Sequence, residues 1–346
     1  MSEPDQSPRL FDPARLEAQR DRAMRRGYVG HGDFLAREIA ERVGERVGDT
    51  TRRFERAVVA GTGAGAVALA LPGAMGRDGT GVAMTDPSPA MLAAAAERLP
   101  EAEALGWRGE ALPFARGGAD LAVSLGLGHW LEDPVGHLVQ LRLALKPDGL
   151  LIAAFLGGQT LSDLRVALAE AEVEVVGGLS PRVAPMGELR DLGALLQRAG
   201  LAMPVADGET VEVSYADAFA LMRDLRAMGE TNAMAERLRV PTRRAVFARA
   251  AERYAARAAR ADGRVSARFD LVFLPGWSPS PDQPQPLRPG SARTRHADAL
   301  GTEERPAGEK AGRSCNGAAV PARTGRLSTG RSDAFVAVVG YSPAPP

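Results

Sequence analysis

A glycine-rich loop is the first part of the sequence whose residue types and spacing could bind a ligand. Its residues are Gly61-Thr62-Gly63-Ala64-Gly65, between a short apolar segment at 57–60 and a predicted short helix. Glycines permit positive φ and let the backbone approach a ligand closely, and free N–H groups at a helix start can face a polar or anionic group. The third glycine comes one position earlier than in the dinucleotide fingerprint, which disfavours a nicotinamide site. A simple turn is the competing interpretation.

An acidic residue, Asp86, ends the next predicted strand, 21 positions after Gly65. A carboxylate at that position can accept hydrogen bonds from both ribose hydroxyls of an adenosine. The alternative is that Asp86 only starts a turn before Pro87. Together, the glycine loop and the acid predict an adenosine site.

Further candidates follow a later strand and a later helical block. His129 and Trp130 come directly after the strand at 120–125, where His129 is the best-placed acid-base residue and Trp130 could stack on a substrate; packing over the adenosine or the core is the alternative. Arg223 and Arg226 share a helix face, with Glu230 close behind. The two arginines could recognise a carboxylate or an acidic protein surface, although a solvated helix face also explains them.

The elements that must position these residues alternate between strand and helix. Strands are predicted at 57–60, 81–85, 120–125 and 150–155, and helices start at Ser88 and span 134–145. Strands separated by helical segments of about 10–15 residues predict βαβ units and a parallel sheet. The uniformly apolar segment 150–155 predicts a strand covered on both faces. Helices are also predicted at 12–26 and 32–47, and a hairpin at 205–213, because Asp207-Gly208 suits a tight turn.

Composition and charge exclude several classes of protein. The 43 basic and 43 acidic residues among 346 cancel, and aromatic residues make up only 5%, so a basic or base-stacking nucleic-acid binder is not expected. The single cysteine, Cys315, excludes an intrachain disulfide and a cysteine-rich zinc site, and the four histidines are scattered, so no metal is expected. The polar N-terminus and short apolar stretches predict a cytoplasmic protein without stable membrane insertion.

Several sequence blocks resemble a known family. The loop 61–65, Asp-Pro-Ser-Pro-Ala-Met-Leu at 86–92, Glu-Ala-Leu-Pro-Phe at 110–114 and Leu-Lys-Pro-Asp-Gly at 145–149 resemble class I S-adenosylmethionine-dependent methyltransferases. The subgroup is the one that contains the malonyl-carrier-protein methyltransferase of biotin synthesis. The blocks 129–133, 155–161, 177–182 and 221–232 resemble the assembly factor 5 family of respiratory complex I.

The resemblance implies an α/β fold: a Rossmann-like class I methyltransferase sheet with helices on both faces, N-terminal helices and a helical insertion before the last strand. It implies S-adenosylmethionine as cofactor, bound by Gly61, Gly63, Gly65, Asp86, Pro87, Met91, Glu110, Leu112, Ser124 and Leu125. By its position after the strand at 120–125, His129 is the candidate catalytic residue, and Trp130, Arg223 and Arg226 are candidates on the substrate side. The implied substrate is a protein. In the mitochondrial relatives it is an arginine of a complex I subunit, and the modification is described as hydroxylation.

Three positions depart from the family pattern and keep alternatives open, among them Gln159, which replaces the more usual acid after Gly157-Gly158. Val59 stands where the family has an aspartate that reaches the methionine amino group, and Arg108 where relatives often have an acid near the adenine. Losing one charge-assisted hydrogen bond costs about 1.5–3 kcal/mol. A non-catalytic assembly factor that retains the fold is therefore one alternative, and a malonyl-carrier-protein methyltransferase is another.

The expected domain organisation follows from these elements. We expect disorder at 1–10, N-terminal helices at 11–50, an S-adenosylmethionine-binding domain at 51–214 and a helical insertion on the substrate side at 215–262. A final strand at 263–277 precedes a mostly disordered tail at 278–346, where Pro, Gly, Ser and Arg replace apolar residues. Tyr28 and His31, near the N-terminal helices, are candidates for part of a lid.

Overall fold

A seven-stranded sheet forms the centre of the computed structural model, which describes residues 9–107 and 109–283. The strands lie in the order β3-β2-β1-β4-β5-β7-β6. Their bounds are β1 Ala57–Ala60, β2 Val82–Thr85, β3 Glu103–Ala104, β4 Ala119–Leu125, β5 Leu145–Gly157, β6 Asp207–Tyr215 and β7 Val265–Trp277. Strands β1 to β5 pair in parallel, and β7 runs antiparallel to both of its neighbours, β5 and β6. The predicted Rossmann-like α/β fold is confirmed.

Nine α-helices connect or precede these strands in the described part of the chain. They are α1 Pro13–Arg25, α2 Phe34–Gly48, α3 Gly73–Asp78, α4 Pro89–Arg98, α5 Pro134–Ala144, α6 Ser162–Val176, α7 Leu189–Arg198, α8 Ala218–Ala227 and α9 Arg244–Ala258. Side chains of Asp12, Ser88, Asp133 and Asp217 accept a hydrogen bond at the starts of α1, α4, α5 and α8. The predicted cap at Ser88 and the end of α1 before Gly27 are both confirmed. Between β6 and β7, the chain forms α8 and α9.

The central strands bury side chains on both faces of the sheet. Val59 of β1 and Ile152 of β5 pack in one core with residues of α2, α6 and α9. Val58 of β1 and Leu151 of β5 pack in a second core with residues of α5 and α7. Successive strand side chains point to opposite faces, so a strand buried on both sides must be apolar throughout. This confirms the interpretation of the segment 150–155.

The hairpin predicted at 205–213 is wrong. Strand β6 runs through Asp207 and Gly208 without turning, and its residues pair one by one with β7, from Asp207 opposite Phe273 to Tyr215 opposite Val265. The Asp-Gly pair is compatible with a turn but does not require one. A complete antiparallel ladder with β7 satisfies the backbone groups of β6 along its length, and this outweighs the local preference.

Several sequence predictions lie outside the described residues. These are Arg108, Cys315, residues 1–8 and nearly all of the proposed tail, since the structure describes nothing beyond Gln283. Residues up to Pro281 group into one compact unit, and a second unit at Asp282–Phe335 falls almost wholly in that undescribed part.

Candidate functional site

The glycine loop adopts the backbone conformation that its glycines allow. Gly61, Gly63 and Gly65 have φ values of 87°, 53° and 96°, and Ala64 between them also has a positive φ, 53°. A Cβ atom on Gly61 would overlap the carbonyl oxygen of Leu125. The absence of a side chain at Gly61 therefore lets the loop approach the chain that follows β4.

Asp86 is turned inward and holds the glycine loop. Asp86 is only 2% exposed. Oδ2 accepts hydrogen bonds from the Thr62 backbone N–H at 2.8 Å and the Thr62 hydroxyl at 3.0 Å, and Oδ1 accepts one from the Ser88 backbone N–H at 2.9 Å. An ionised carboxylate has about four acceptor sites, so Oδ1 retains capacity for one further donor.

Helix α1 and the segment after it lie over the predicted cofactor residues. The Ser88 hydroxyl donates to Asp21 Oδ1 at 2.6 Å, and Arg20 Nη2 donates to the Gly126 carbonyl at 3.1 Å. Tyr28 is 5% exposed and packs with Ala23, Ala64 and Met91. Burial raises the pKa of the Tyr28 phenol, which is therefore neutral.

The space beside the loop is small in this conformation. A cavity of about 40 Å³ remains beside Gly63, Met91 and Leu125, with Arg20 and Tyr28 on its other side. Such a cavity can hold water, whereas pockets for ligands of the size of S-adenosylmethionine measure about 300–1,000 Å³. Val59 is fully buried in the apolar core. In this conformation the cavity is too small for the cofactor, so binding would require the residues around it to move apart.

The other predicted cofactor residues are distributed around this edge. Ser124 Oγ lies 2.9 Å from His137 Nε2 and is buried. The Leu112 backbone N–H donates to Gln140 Oε1 at 2.7 Å, and Gln140 Nε2 donates to the Glu110 carbonyl at 3.0 Å. Glu110, Leu112, Ser124 and Pro87 do not border the small cavity, whereas Gly63, Met91 and Leu125 do.

A second group of polar side chains gathers around Glu230, which follows α8. Glu230 Oε2 accepts a hydrogen bond from Trp130 Nε1 at 2.7 Å and lies 2.9 Å from His129 Nε2. Oε1 accepts one from Arg20 Nη2 at 3.3 Å. A carboxylate can only accept, so His129 Nε2 carries a hydrogen; among the described residues its Nδ1 is buried without a partner. We call His129, Trp130, Glu230 and Arg20 the Glu230 cluster.

The charge of Glu230 is stabilised by its neighbours. Burial alone would raise the pKa of Glu230, but His129, Arg20 and Trp130 together lower it below the ordinary value. The side chain is 15% exposed. The sequence predicted Glu230 only as a charge on the helical block, because about one hundred residues separate it from Trp130 and no local pattern joins them.

A larger cavity of about 600 Å³ opens beside the Glu230 cluster. His129, Trp130 and Arg226 border it, so the structure brings these predicted residues together, whereas Arg223 is exposed and does not border it. Arg15, Gln19, Arg22 and Arg26 also line it, a set that sequence reasoning missed. These residues are spaced by four, three and four positions, which places them on one helix face. This spacing could have identified them in the sequence as a polar surface of the first helix.

The block at 177–182 shapes one wall of this cavity. Glu172 of α6 accepts hydrogen bonds from the Ser180 backbone N–H at 3.0 Å and hydroxyl at 2.8 Å, and from Arg182 Nη2 at 2.5 Å. Arg182 Nη1 also donates to Thr242 Oγ1 at 2.7 Å. Burial alone would raise the pKa of Glu172, but Arg182 and Ser180 lower it. These contacts fix the segment in place, and Arg182 borders the cavity.

Searches for a metal site and for a membrane span give no candidate among residues 9–107 and 109–283. No group of three or more His, Cys, Asp or Glu side chains there could hold a metal ion. No helix in the same residues has both the length and the hydrophobicity needed to cross a bilayer.

Comparison with known proteins places these features in a family. The methyltransferase domain family matches residues 58–153, which include the glycine loop, Asp86 and His129. The chain is 35% identical over 289 residues to the arginine-hydroxylase NDUFAF5, mitochondrial, of Danio rerio, covering 84% of this chain and 89% of that protein. It is 32% identical over 284 residues to a malonyl-[acyl-carrier protein] O-methyltransferase of Laribacter hongkongensis, covering 78% and 90%.

Among solved structures, phosphoethanolamine N-methyltransferase 2 of Haemonchus contortus with S-adenosyl-L-methionine has a TM-score of 0.44 at 16% identity, covering 76% of this chain and 60% of that one. The family resemblance predicted from the sequence is confirmed by the identity to the NDUFAF5 protein over most of both chains. The chain carries the methyltransferase domain of the S-adenosylmethionine-dependent class, and it belongs to the NDUFAF5 family.

Proposed function

We propose that this protein modifies an arginine side chain of a protein substrate, with S-adenosylmethionine as cofactor. The observation that carries the proposal is the Glu230 cluster, where a carboxylate already holds a guanidinium group, that of Arg20, at 3.3 Å. The name of the Danio rerio relative, an arginine hydroxylase, supports the same class of substrate. A complex I subunit is the partner that the sequence resemblance implies.

The geometry around Glu230 suits a guanidinium. An arginine fork can donate two parallel hydrogen bonds to one carboxylate, but Arg20 uses only Nη2 and reaches only Oε1. This is the longest of the Glu230 contacts, so it is the one that a substrate arginine would most easily replace. His129 and Trp130 hold the other oxygen in place from the opposite side.

Cofactor binding requires that α1 and Tyr28 move away from the glycine loop. The positive φ values at Gly61, Gly63 and Gly65 and the remaining acceptor capacity of Asp86 support a nucleoside site there. The 40 Å³ cavity would have to grow several-fold. Calorimetric titration with S-adenosylhomocysteine tests this step: we expect saturable heat, and no heat at millimolar ligand would contradict cofactor binding.

A non-catalytic assembly factor that retains the fold is the second candidate. The observations that favour it are the buried apolar Val59, at the position of the family aspartate, and the closed space beside the loop. Val59→Asp places a carboxylate in the apolar core, so it should lower the free energy of unfolding unless the cofactor amino group pairs with it; a large gain in affinity for S-adenosylhomocysteine without activity of the native protein would favour the non-catalytic candidate. Only a catalytic protein would modify the substrate arginine when it has its wild-type sequence. Detection of that modification therefore distinguishes the two candidates.

The decisive experiment follows the modification itself. Mass spectrometry of complex I subunits, from cells with and without this protein, should show a modified arginine. It would be heavier by one methyl group, which S-adenosylmethionine donates as it becomes S-adenosylhomocysteine, or by one oxygen, which requires an oxidant such as dioxygen and a reductant as co-reactants. Glu230→Gln should reduce this signal by about 100-fold, because it removes the charge that holds the guanidinium. Glu236→Gln, an exposed acid on the same segment, is the matched control and should leave it unchanged.

Two results would overturn the proposal: an arginine that stays unmodified in cells with the wild-type protein, or full modification by Glu230→Gln. Glu230→Gln alone leaves the buried Arg20 without its acidic partner, which can destabilise the fold. The double variant Arg20→Gln/Glu230→Gln removes both charges and so controls for this defect. The sequence predicts a cytoplasmic location, whereas the NDUFAF5 relatives are mitochondrial by name. The location of this protein is therefore a proposal.

A further inference from the structure

The lining of the 600 Å³ cavity is rich in arginine. Seven arginines border it, and two of these are paired, Arg182 with Glu172 and Arg237 with Asp12. The side chains of the other five make no hydrogen bond or ion pair with any described residue: Arg15, Arg22, Arg26, Arg226 and Arg239. The charge of Asp12 acts on Arg15 and Arg239, but one carboxylate cannot neutralise five arginines, so the local potential around the cavity is positive.

The one acidic residue that borders the cavity cannot balance this charge. Glu230 already interacts with Arg20 and His129. The arginines also repel one another: burial, together with the charges of Arg22 and Arg237, lowers the pKa of Arg15, and the charge of Asp12 opposes this only in part. A negatively charged ligand would relieve this repulsion.

Two buried hydrogen-bond donors of cavity residues have no partner among the described residues. Gln19 is 3% exposed, and its Oε1 accepts a hydrogen bond from the Thr231 hydroxyl at 2.7 Å. Its amide Nε2 is buried without a partner among the described residues, as is Arg15 Nε. Buried donors are normally satisfied, because an unpaired one loses its hydrogen bonds to water without replacement. Both residues, Gln19 and Arg15, border the cavity.

The lining also includes apolar side chains of β5, α6, α8 and α9. Among them are Leu156, Leu164, Leu168, Leu225 and Phe247. A ligand that fills the cavity must therefore combine a polar, anionic end with an apolar body. The volume of about 600 Å³ lies within the range of small-molecule sites, about 300–1,000 Å³.

We propose that this cavity binds a small amphiphilic anion, an organic molecule with a carboxylate or phosphate head group and an apolar body. The head group lies against Arg15, Gln19 and Arg22 of α1, against Arg26 at the end of that helix, and against Arg226 of α8. The apolar body lies against α6 and Phe247. This ligand is distinct from the arginine substrate and from the cofactor, and the proposal does not depend on the proposed function.

Octyl phosphate is the probe for the test, because it combines a phosphate head with a short apolar chain. Calorimetric titration into the full-length protein, without cofactor or protein substrate, should give saturable binding. Octanol has the same chain without the charge and should bind at least about tenfold more weakly, since it forms no charge-assisted hydrogen bonds. Octyltrimethylammonium, which carries a positive charge, should not bind.

Paired variants locate the head group. Arg22→Gln/Arg26→Gln removes two arginines of the cavity and should raise the Kd for octyl phosphate about tenfold or more. Arg25→Gln/Arg37→Gln removes the same charge from exposed residues that do not border the cavity, and it should change the Kd less than about twofold. All four residues are exposed, so both variants should fold, which circular dichroism checks.

Three outcomes would overturn the proposal: absence of binding at millimolar octyl phosphate, equal affinity for octanol, or the same Kd in both double variants. Sodium phosphate and sodium octanoate, titrated in parallel, distinguish the two head-group chemistries and show whether the apolar chain contributes. The binding experiment does not measure modification of arginine. Absence of octyl phosphate binding would therefore not contradict the proposal for Glu230, and a negative result for arginine modification would not contradict the anion site.

Discussion

His137 shows how one buried side chain changes the interpretation of a predicted site residue. Its Nε2 lies 2.9 Å from the hydroxyl of Ser124, and its ring stacks on Trp107 with 6.0 Å between centroids. Burial lowers the pKa of His137 to about 4, with a small opposing effect of Asp133. Ser124 was predicted to bind the cofactor, but its hydroxyl pairs with a neutral imidazole on the α5 side of the sheet.

The lowered pKa of His137 predicts an acid-sensitive stability. Between pH 6.5 and about 4 the unfolded chain binds a proton at this histidine that the folded chain excludes, so the free energy of unfolding falls as pH falls through this window. The loss approaches about 3 kcal/mol at the lower end and is absent above pH 7. Urea unfolding at several pH values measures it.

The variant His137→Gln should flatten this pH dependence, because the glutamine carbonyl can still accept from Ser124 but does not titrate. His31→Gln, at an exposed histidine, is the control and should retain the wild-type slope. Equal slopes in the two variants would show that His137 is not the titrating group.

The sequence predicts the conformation of a residue correctly where that residue and its neighbours in the chain determine it. The glycine loop has positive φ because glycine permits it, and Ser88 caps α4 through its own backbone neighbours. Asp86 could not be placed in the same way, because the Thr62 amide and hydroxyl compete with a ligand for its oxygens. The Glu230 cluster joins three distant segments, and no sequence spacing encodes such contacts.

At the scale of elements, α1 is the helix that covers the predicted cofactor residues. Asp21 accepts from the Ser88 hydroxyl and so ties α1 to the start of α4. Asp21→Ala should weaken this contact and shift the population toward the open form, which raises the affinity for S-adenosylhomocysteine about tenfold. Hydrogen exchange of α1 should increase in parallel.

Glu17→Ala is the matched control for Asp21→Ala, since Glu17 is an exposed acid on the same helix. It should change neither the exchange of α1 nor the affinity. If Asp21→Ala accelerates exchange without a gain in affinity, α1 does not control access to the loop.

The segment 177–182 gives a second prediction at this scale. Glu172 is buried and receives hydrogen bonds from Ser180 and Arg182, so Glu172→Gln should lower the free energy of unfolding by about 2–3 kcal/mol. Glu174→Gln, two positions along α6, disrupts pairs with Arg249 and Arg253 at the surface and should lower the free energy of unfolding by less than Glu172→Gln, because solvent screens exposed ion pairs. Chemical denaturation compares them; equal losses would contradict a special role for the buried carboxylate.

Element-level prediction depended on whether partners lie nearby in the chain. The parallel strands were found because each carries its own apolar pattern, and β5 is apolar along its buried length. The hairpin at 205–213 was wrong because the partner of β6 is β7, which begins about fifty residues after β6 ends. A local turn preference contains no information about such a partner.

At the scale of the whole molecule, α1 joins two sites. Its Arg15, Gln19 and Arg22 line the large cavity, while Arg20 reaches Glu230 and the carbonyl of Gly126, next to the glycine loop. An anion in the cavity attracts the arginines of α1 and holds the helix in place. A cofactor beside the loop requires the same helix to move. The two ligands should therefore oppose each other.

This opposition predicts a reciprocal change of affinity. Saturating octyl phosphate should raise the Kd for S-adenosylhomocysteine about fivefold or more, and S-adenosylhomocysteine should raise the Kd for octyl phosphate by the same factor, because coupling between two binding equilibria is symmetric. Competition for one pocket would instead abolish simultaneous binding. Arg22→Gln/Arg26→Gln should reduce the factor toward one, since the anion then loses its hold on α1. Unchanged affinities in the wild-type protein would mean that α1 does not link the cavity to the loop.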